Sequence, residues 1–258
     1  MPMLAPAARA GPYADALLWC LPAAITCWLL LMASPALGIA SALCLPRAVG
    51  TFDSLAANLR AQAALVDPLG WSREWLLMIG AMMLPLAIPP LQFVAQQSFA
   101  RRRQRALALW LAGFLTLTAA AGVVASLAIL LLRGLLASID VALWSAAICY
   151  AVAAGWQISQ AKRRALVLCH VTPPLRPFGI AADLDAARFG FGHGWRCSRS
   201  CFPVMVPVMV AGPSPMEMFV IFALLLAERS AFQPDRRFMM RTAAILLALG
   251  VIRTLVPA

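Results

Sequence analysis

Apolar residues in this chain run in long unbroken stretches rather than with a two-residue or amphipathic period. Stretches able to cross about 30 Å of hydrocarbon at about 1.5 Å per residue recur near residues 16 to 44, 75 to 98, 106 to 132, 137 to 158, 197 to 212, 215 to 229 and 238 to 256. Charge, Pro or Gly separates one from the next. The pattern predicts an all-α fold: a polytopic transmembrane helix bundle of about seven spans, forming one integral membrane domain over residues 1 to 258. The first stretch, apolar from Leu17 to Leu45 without a basic lead-in, is too long for a signal-peptide core and reads as a retained helix.

Two segments break the pattern. Between Pro46 and Arg73 the chain is mixed, with Phe52, Leu55, Leu59 and Ala63 at helical spacing, as in a helix lying on the membrane surface. Between Ser159 and Ser200, just before the fifth span, it is basic and amphipathic, carries Pro173 and Pro174 and ends in Gly190, Gly192 and Gly194.

Composition sharpens this picture. Of 258 residues, 63% are hydrophobic and 12% charged, far from a soluble domain. The net charge of +11 is unevenly placed. Arg9, Arg101 to Arg105, the segment from Lys162 to Arg199, and Arg229 to Arg241 hold 16 of 21 positive residues and fall on one side of the predicted spans. Because such charges stay cytoplasmic during insertion, the expectation is a bacterial inner-membrane protein with a cytoplasmic N-terminus and an exoplasmic C-terminus. The basic residues flank the bilayer without aromatic interleaving, so lipid headgroups rather than nucleic acid are the expected partners.

The candidate chemistry is sulfur and imidazole. Cys20, Cys27, Cys44 and Cys149 sit singly in apolar stretches and read as packing residues. Cys169, Cys197 and Cys201 lie within 33 residues that also hold both histidines, His170 and His193. His193, Cys197, Cys201, Met205 and Met209 follow one another at intervals of four, so neighbouring members share a helix face while drifting about 40° per step. Imidazole, thiolate and thioether together select soft ions, and thioether favours Cu(I), so copper is the expected ligand. Met78, Met82 and Met83 in the second span add further thioethers. Packing is the favoured account of the methionines taken alone, and C-x-x-x-C lacks the C-x-x-C spacing of zinc and redox motifs. Cys169 and His170, adjacent in sequence, diverge by about 100° on a helix and could share one ion only in an irregular segment.

Trp75, Met78, Ala81, Met82, Met83 and Pro85 form W-x-x-M-x-x-A-M-M-x-P, and His193, Gly194 and Cys197 form H-G-x-x-C. With these motifs the chain resembles, over roughly residues 72 to 252, a bacterial family of predicted metal-binding integral membrane proteins, some labelled copper chaperones. The resemblance implies a metal-binding site. Family members commonly carry H-G-x-x-C-x-x-C-C, where this chain has Ser200 followed by Cys201, and K-x-x-C-x-x-x-C, where it has Ala165 and then Cys169. The donor set that survives is Cys169, His170, His193, Cys197 and Cys201.

The leading expectation is a non-enzymatic protein that relays Cu(I) through His193, Cys197, Cys201, Cys169, His170, Met205, Met78 and Met82, exchanging it with a membrane or metallochaperone partner, with Trp75 and Trp195 as interface anchors. The alternative is a metal-free assembly subunit of a membrane complex, supported by the small residues Ala119 to Gly122 and Ala125. A thiol-redox enzyme is disfavoured by the cysteine spacing, and no nucleotide-binding or hydrolase motif occurs.

Overall fold

The computed structural model describes residues 12–37, 68–135, 142–211, 214–231 and 235–255. Among them every regular element is helical: α1 Pro12–Leu37, α2 Pro68–Met83, a 3₁₀ turn Pro85–Ala87, α3 Ile88–Gln97, α4 Arg103–Leu135, α5 Ala142–Gln157, α6 Gln160–Cys169, α7 Gly179–Ala211, α8 Pro215–Ser230 and α9 Arg236–Leu255. The amphipathic stretch around Phe52 to Ala63, together with Cys44 and Asp140, lies outside the described residues.

Local chemistry sets the boundaries. Proline opens α1, α2 and α8, where its missing N–H is no loss. Ser159 caps α6, its hydroxyl accepting from the Lys162 backbone N–H at 3.1 Å. Pro173, Pro174 and Pro177 keep the link after α6 out of a helix, and Gly179 at φ +82° turns the chain into α7.

The expected count of seven spans is not met. Among the described residues three helices are long and apolar enough to cross a membrane, at Ala14–Ala33, Arg103–Ala128 and Arg236–Leu255, or four if a broken pair counts as one. The described lengths of α5 and α8, 16 residues each, extend about 24 Å. The stretch 197 to 212 is not a separate span but the second half of α7, whose first half carries the amphipathic segment. The stretch 75 to 98 is the broken pair, Ser72–Met83 and Pro85–Gln97, bent by 47°. There the Leu84 N–H reaches the Ile79 carbonyl at 3.3 Å, one residue wider than an α turn, and Pro85 cannot restore the ladder.

Polar contacts show which helix ends meet. Asp15 at the start of α1 pairs with Arg103 at the start of α4 at 2.9 Å, and Trp19 Nε1 donates to Gln104 at 2.7 Å. Arg102 and Arg105 both reach Asp183 on the first turns of α7, at 2.5 and 2.7 Å. At the other end of the bundle Glu217, opening α8, pairs with Arg253, closing α9, at 2.5 Å.

The most extensive packing is between α4 and α7, and it depends on missing side chains. A Cβ on Gly190 would lie 1.9 Å from the Trp110 carbonyl oxygen, and one on Gly113 would lie 2.4 Å from that of Ala187. The two backbones therefore touch, as in small-residue crossings of membrane helices. Farther along α4, Gly122 leaves a notch filled by the Trp75 indole, which also meets Phe202 edge-on at 5.8 Å. Trp75 is thus buried rather than an interface anchor, and the small stretch of α4 is used inside the bundle. Trp195 is exposed, as its expected role requires.

Candidate metal centre

Helix α7 turns the four-residue ladder into geometry. Despite Pro203 and Pro207 it runs unbroken through all five members, and His193, Cys197, Cys201, Met205 and Met209 are all buried. The Cys197 and Cys201 sulfurs are 3.9 Å apart. His193, one turn earlier, sits in an aromatic niche, its ring 5.5 Å from Trp110, 6.1 Å from Phe114 and 6.0 Å from Phe189.

The thiol pair is walled by three other helices. Cys169, the last residue of α6, faces the same interior and is in electrostatic contact with Cys201. Arg229, in the last turn of α8, interacts electrostatically with Cys169, Cys197 and Cys201. Its Nη2 donates to His193 Nε2 at 2.6 Å, which fixes the imidazole as neutral with its proton on Nδ1. That Nδ1 is buried and without a hydrogen-bond partner.

His170 points elsewhere. Its Nδ1 lies 2.9 Å from the Leu166 carbonyl and its Nε2 3.2 Å from that of Arg229, so the ring sits against the last turns of α6 and α8. The expected divergence of adjacent residues holds, and the irregular segment that would have reunited Cys169 with His170 is absent: one ends α6 and the other is its cap.

Beside Cys201 lies a buried ionic network not anticipated as part of the site. Lys162 Nζ, fully buried, donates to the Ser200 carbonyl at 2.7 Å and pairs with Glu228 at 2.8 Å. Gln157 hydrogen-bonds Glu228 and, at 2.9 Å, Thr242. Four helices, α5, α6, α8 and α9, are thereby tied to α7. The signal was available: a carboxylate within an apolar stretch, as Glu228 is, marks a functional or paired position by default.

Met78 and Met82 are buried on α2 and belong, with Cys197, Cys201, Met205 and Met209, to one continuous apolar core. Among the described residues no group of three or more His, Cys, Asp or Glu is gathered as a ready metal cage. What the structure does assemble is a pair of adjacent thiols, with a third thiol close by and thioethers following on the same helix. That donor chemistry suits a soft monovalent ion and is poor in the oxygen ligands that hard cations need.

The sequence profile of a family described as PpoB2 copper chaperone matches residues 73–253. The chain belongs to the copper chaperone family. The match spans both motif regions, from Trp75 through the α7 ladder, and takes in Arg229 and Lys162. Membership in a copper chaperone family associates the chain with copper and suggests a carrying rather than a catalytic role. No curated protein and no solved structure matches the chain.

Proposed function

We propose that this protein is a membrane-embedded Cu(I) carrier whose ion is held by the thiolates of Cys197 and Cys201. The observation that carries the reading is this buried thiol pair, one helical turn apart with sulfurs separated by 3.9 Å, on the helix that continues to Met205 and Met209. Two metal–sulfur bonds of about 2.3 Å across that gap open an angle near 115° at the metal, which leaves room for a third donor. Cys169 is the nearest unused thiol. Met205, Met209, Met78 and Met82 offer weaker thioether positions deeper in the core, so ligand exchange from thiolate to thioether is a route by which the ion is passed on. His193 and His170 contribute through the hydrogen bonds described above.

The charge bias of the helix ends favours a bacterial inner membrane, with Arg101 to Arg105, α6 and the start of α9 on the cytoplasmic face. Asp15, paired with Arg103, would lie on that face too, and Arg253, paired with Glu217, on the other. The thiol pair, level with Lys162, would then receive copper from the cytoplasmic side, from a metallochaperone or a small thiol.

Copper content per chain tests this. Detergent-purified protein loaded with Cu(I) under reducing conditions and stripped of loose metal should retain close to one copper by mass spectrometry. The Cys197→Ser/Cys201→Ser double variant should retain almost none. Equal retention by both proteins would refute the assignment. That no three-ligand group is preassembled among the described residues favours one competing reading, a metal-free assembly subunit; a folded wild-type protein that holds no copper but purifies with a stoichiometric membrane partner would establish it.

A further inference from the structure

We propose that Arg229 is the counter-cation of the thiol site and makes it selective for a monovalent soft ion over a divalent one. The inference rests on the Cu(I) reading of Cys197 and Cys201 and extends it to the question of which ion the site excludes.

Arg229 is an unusual arginine. It is only 9% exposed, and among the described residues no carboxylate lies within ion-pairing distance of it. Its neighbour Glu228 is committed to Lys162 and Gln157. Every group the guanidinium does meet is a nitrogen or a sulfur: His193 Nε2 at 2.6 Å, and Cys169, Cys197 and Cys201 within electrostatic reach. A buried cation without an anion is strongly unfavourable, and the groups around this one become anionic only as thiolates.

Charge arithmetic then separates the metals. Loading Cu(I) replaces two S–H bonds with two S–Cu bonds, releases two protons to solvent and changes no oxidation state. With Cys169 left as a neutral thiol, the dithiolate complex carries one negative charge, which Arg229 cancels. A Zn(II) dithiolate is already neutral, so the same arginine would leave a net positive charge in a low-dielectric interior. Lys162 does not alter this balance, because Glu228 neutralises it. In this arrangement His193 is a positioning residue: its Nε2 lone pair holds the guanidinium within electrostatic reach of the sulfurs, and the aromatic niche of Trp110, Phe114 and Phe189 holds His193.

The test is a pair of competition titrations on the full-length protein in detergent, one with a chromogenic Cu(I) chelator under reductant and one with a Zn(II) chelator. The readout is the ratio of the two dissociation constants. Arg229→Gln should shrink the preference for Cu(I) by at least about tenfold, whereas Arg229→Lys, which keeps the charge, should stay within about threefold of wild type. His193→Ala should move the ratio in the same direction as Arg229→Gln while still binding one Cu(I), and it serves if Arg229→Gln does not fold. An unchanged ratio in a folded Arg229→Gln, or equal losses in Gln and Lys variants, would overturn the charge role and leave the Cu(I) carrier standing. A wild-type protein that binds no Cu(I) would overturn both.

Discussion

Replacing Gly190 with alanine should drive α4 and α7 apart. The new Cβ would sit 1.9 Å from the Trp110 carbonyl oxygen, 2.7 Å from its carbonyl carbon and 2.9 Å from its Cα. All three are backbone atoms, so no rotamer change relieves the clash. Restoring ordinary contact near 3.4 Å requires the helices to separate locally by about 1.5 Å. Overpacking of this kind costs about 1–3 kcal/mol, and rigid backbone neighbours place it at the upper end. Gly192, two residues on, is the internal control: a Cβ there meets nothing within 4 Å, so Gly192→Ala should gain up to about 1 kcal/mol of helix propensity. Thermal unfolding followed by circular dichroism in detergent reads both. At about 2–4 °C per kcal/mol for a chain of this size, Gly190→Ala should lower the midpoint by about 6–12 °C while Gly192→Ala leaves it unchanged or slightly raised. Because His193 and Cys197 follow on the same helix, Gly190→Ala should also weaken copper retention. Equal midpoints for the two variants would refute the contact between α4 and α7 as described.

Breaking the buried pair on one side, as in Lys162→Met, should cost about 3–5 kcal/mol by stranding the Glu228 carboxylate, and Lys162→Met/Glu228→Leu should recover most of the loss in the same unfolding assay. Trp75→Ala should cost about 3–5 kcal/mol by emptying the notch over Gly122, whereas alanine at the exposed Trp195 should leave the midpoint unchanged. On the surface, Arg176 beside Asp185 holds that carboxyl below its ordinary value. A group depressed in the folded state contributes its stability above the unfolded pKa and loses it as pH falls through the lower folded value, so hydrogen-exchange protection of the link before α7 should be full at neutral pH and fade below the ordinary carboxylate range. Asp185→Asn should abolish that dependence.

Long apolar runs made the helical class legible, because nothing else in a sequence produces them. They overstated the spans for two reasons. Periodicity does not reveal where a helix is interrupted, so the break at Leu84 and Pro85 was invisible within one apolar stretch, although Pro85 was its sequence mark. Nor does a run of apolar residues fix helix length: the described lengths of α5 and α8 fall short of the hydrocarbon thickness, and α7 extends well before its apolar half. At the site, the four-residue ladder was readable because it lies on one element. Lys162 and Arg229 read from sequence only as basic residues flanking the spans, since their partners come from other helices and sequence spacing does not report tertiary neighbours. The same limit explains His170, whose two carbonyl partners sit on α6 and at the end of α8.

The second half of α7 has no exposed residue from Ser200 to Val210. With only the face of Phe202, Pro203, Val206 and Val210 half-buried and the rest enclosed, this half is closer to an axle than to a wall of the bundle. Its sulfur atoms need not face one direction to stay out of lipid, and they do not: each four-residue step advances about 6 Å along the axis and turns about 40°. The path from Cys197 to Met209 is therefore a screw, and an ion handed from one donor to the next would meet a different neighbouring helix at each stage.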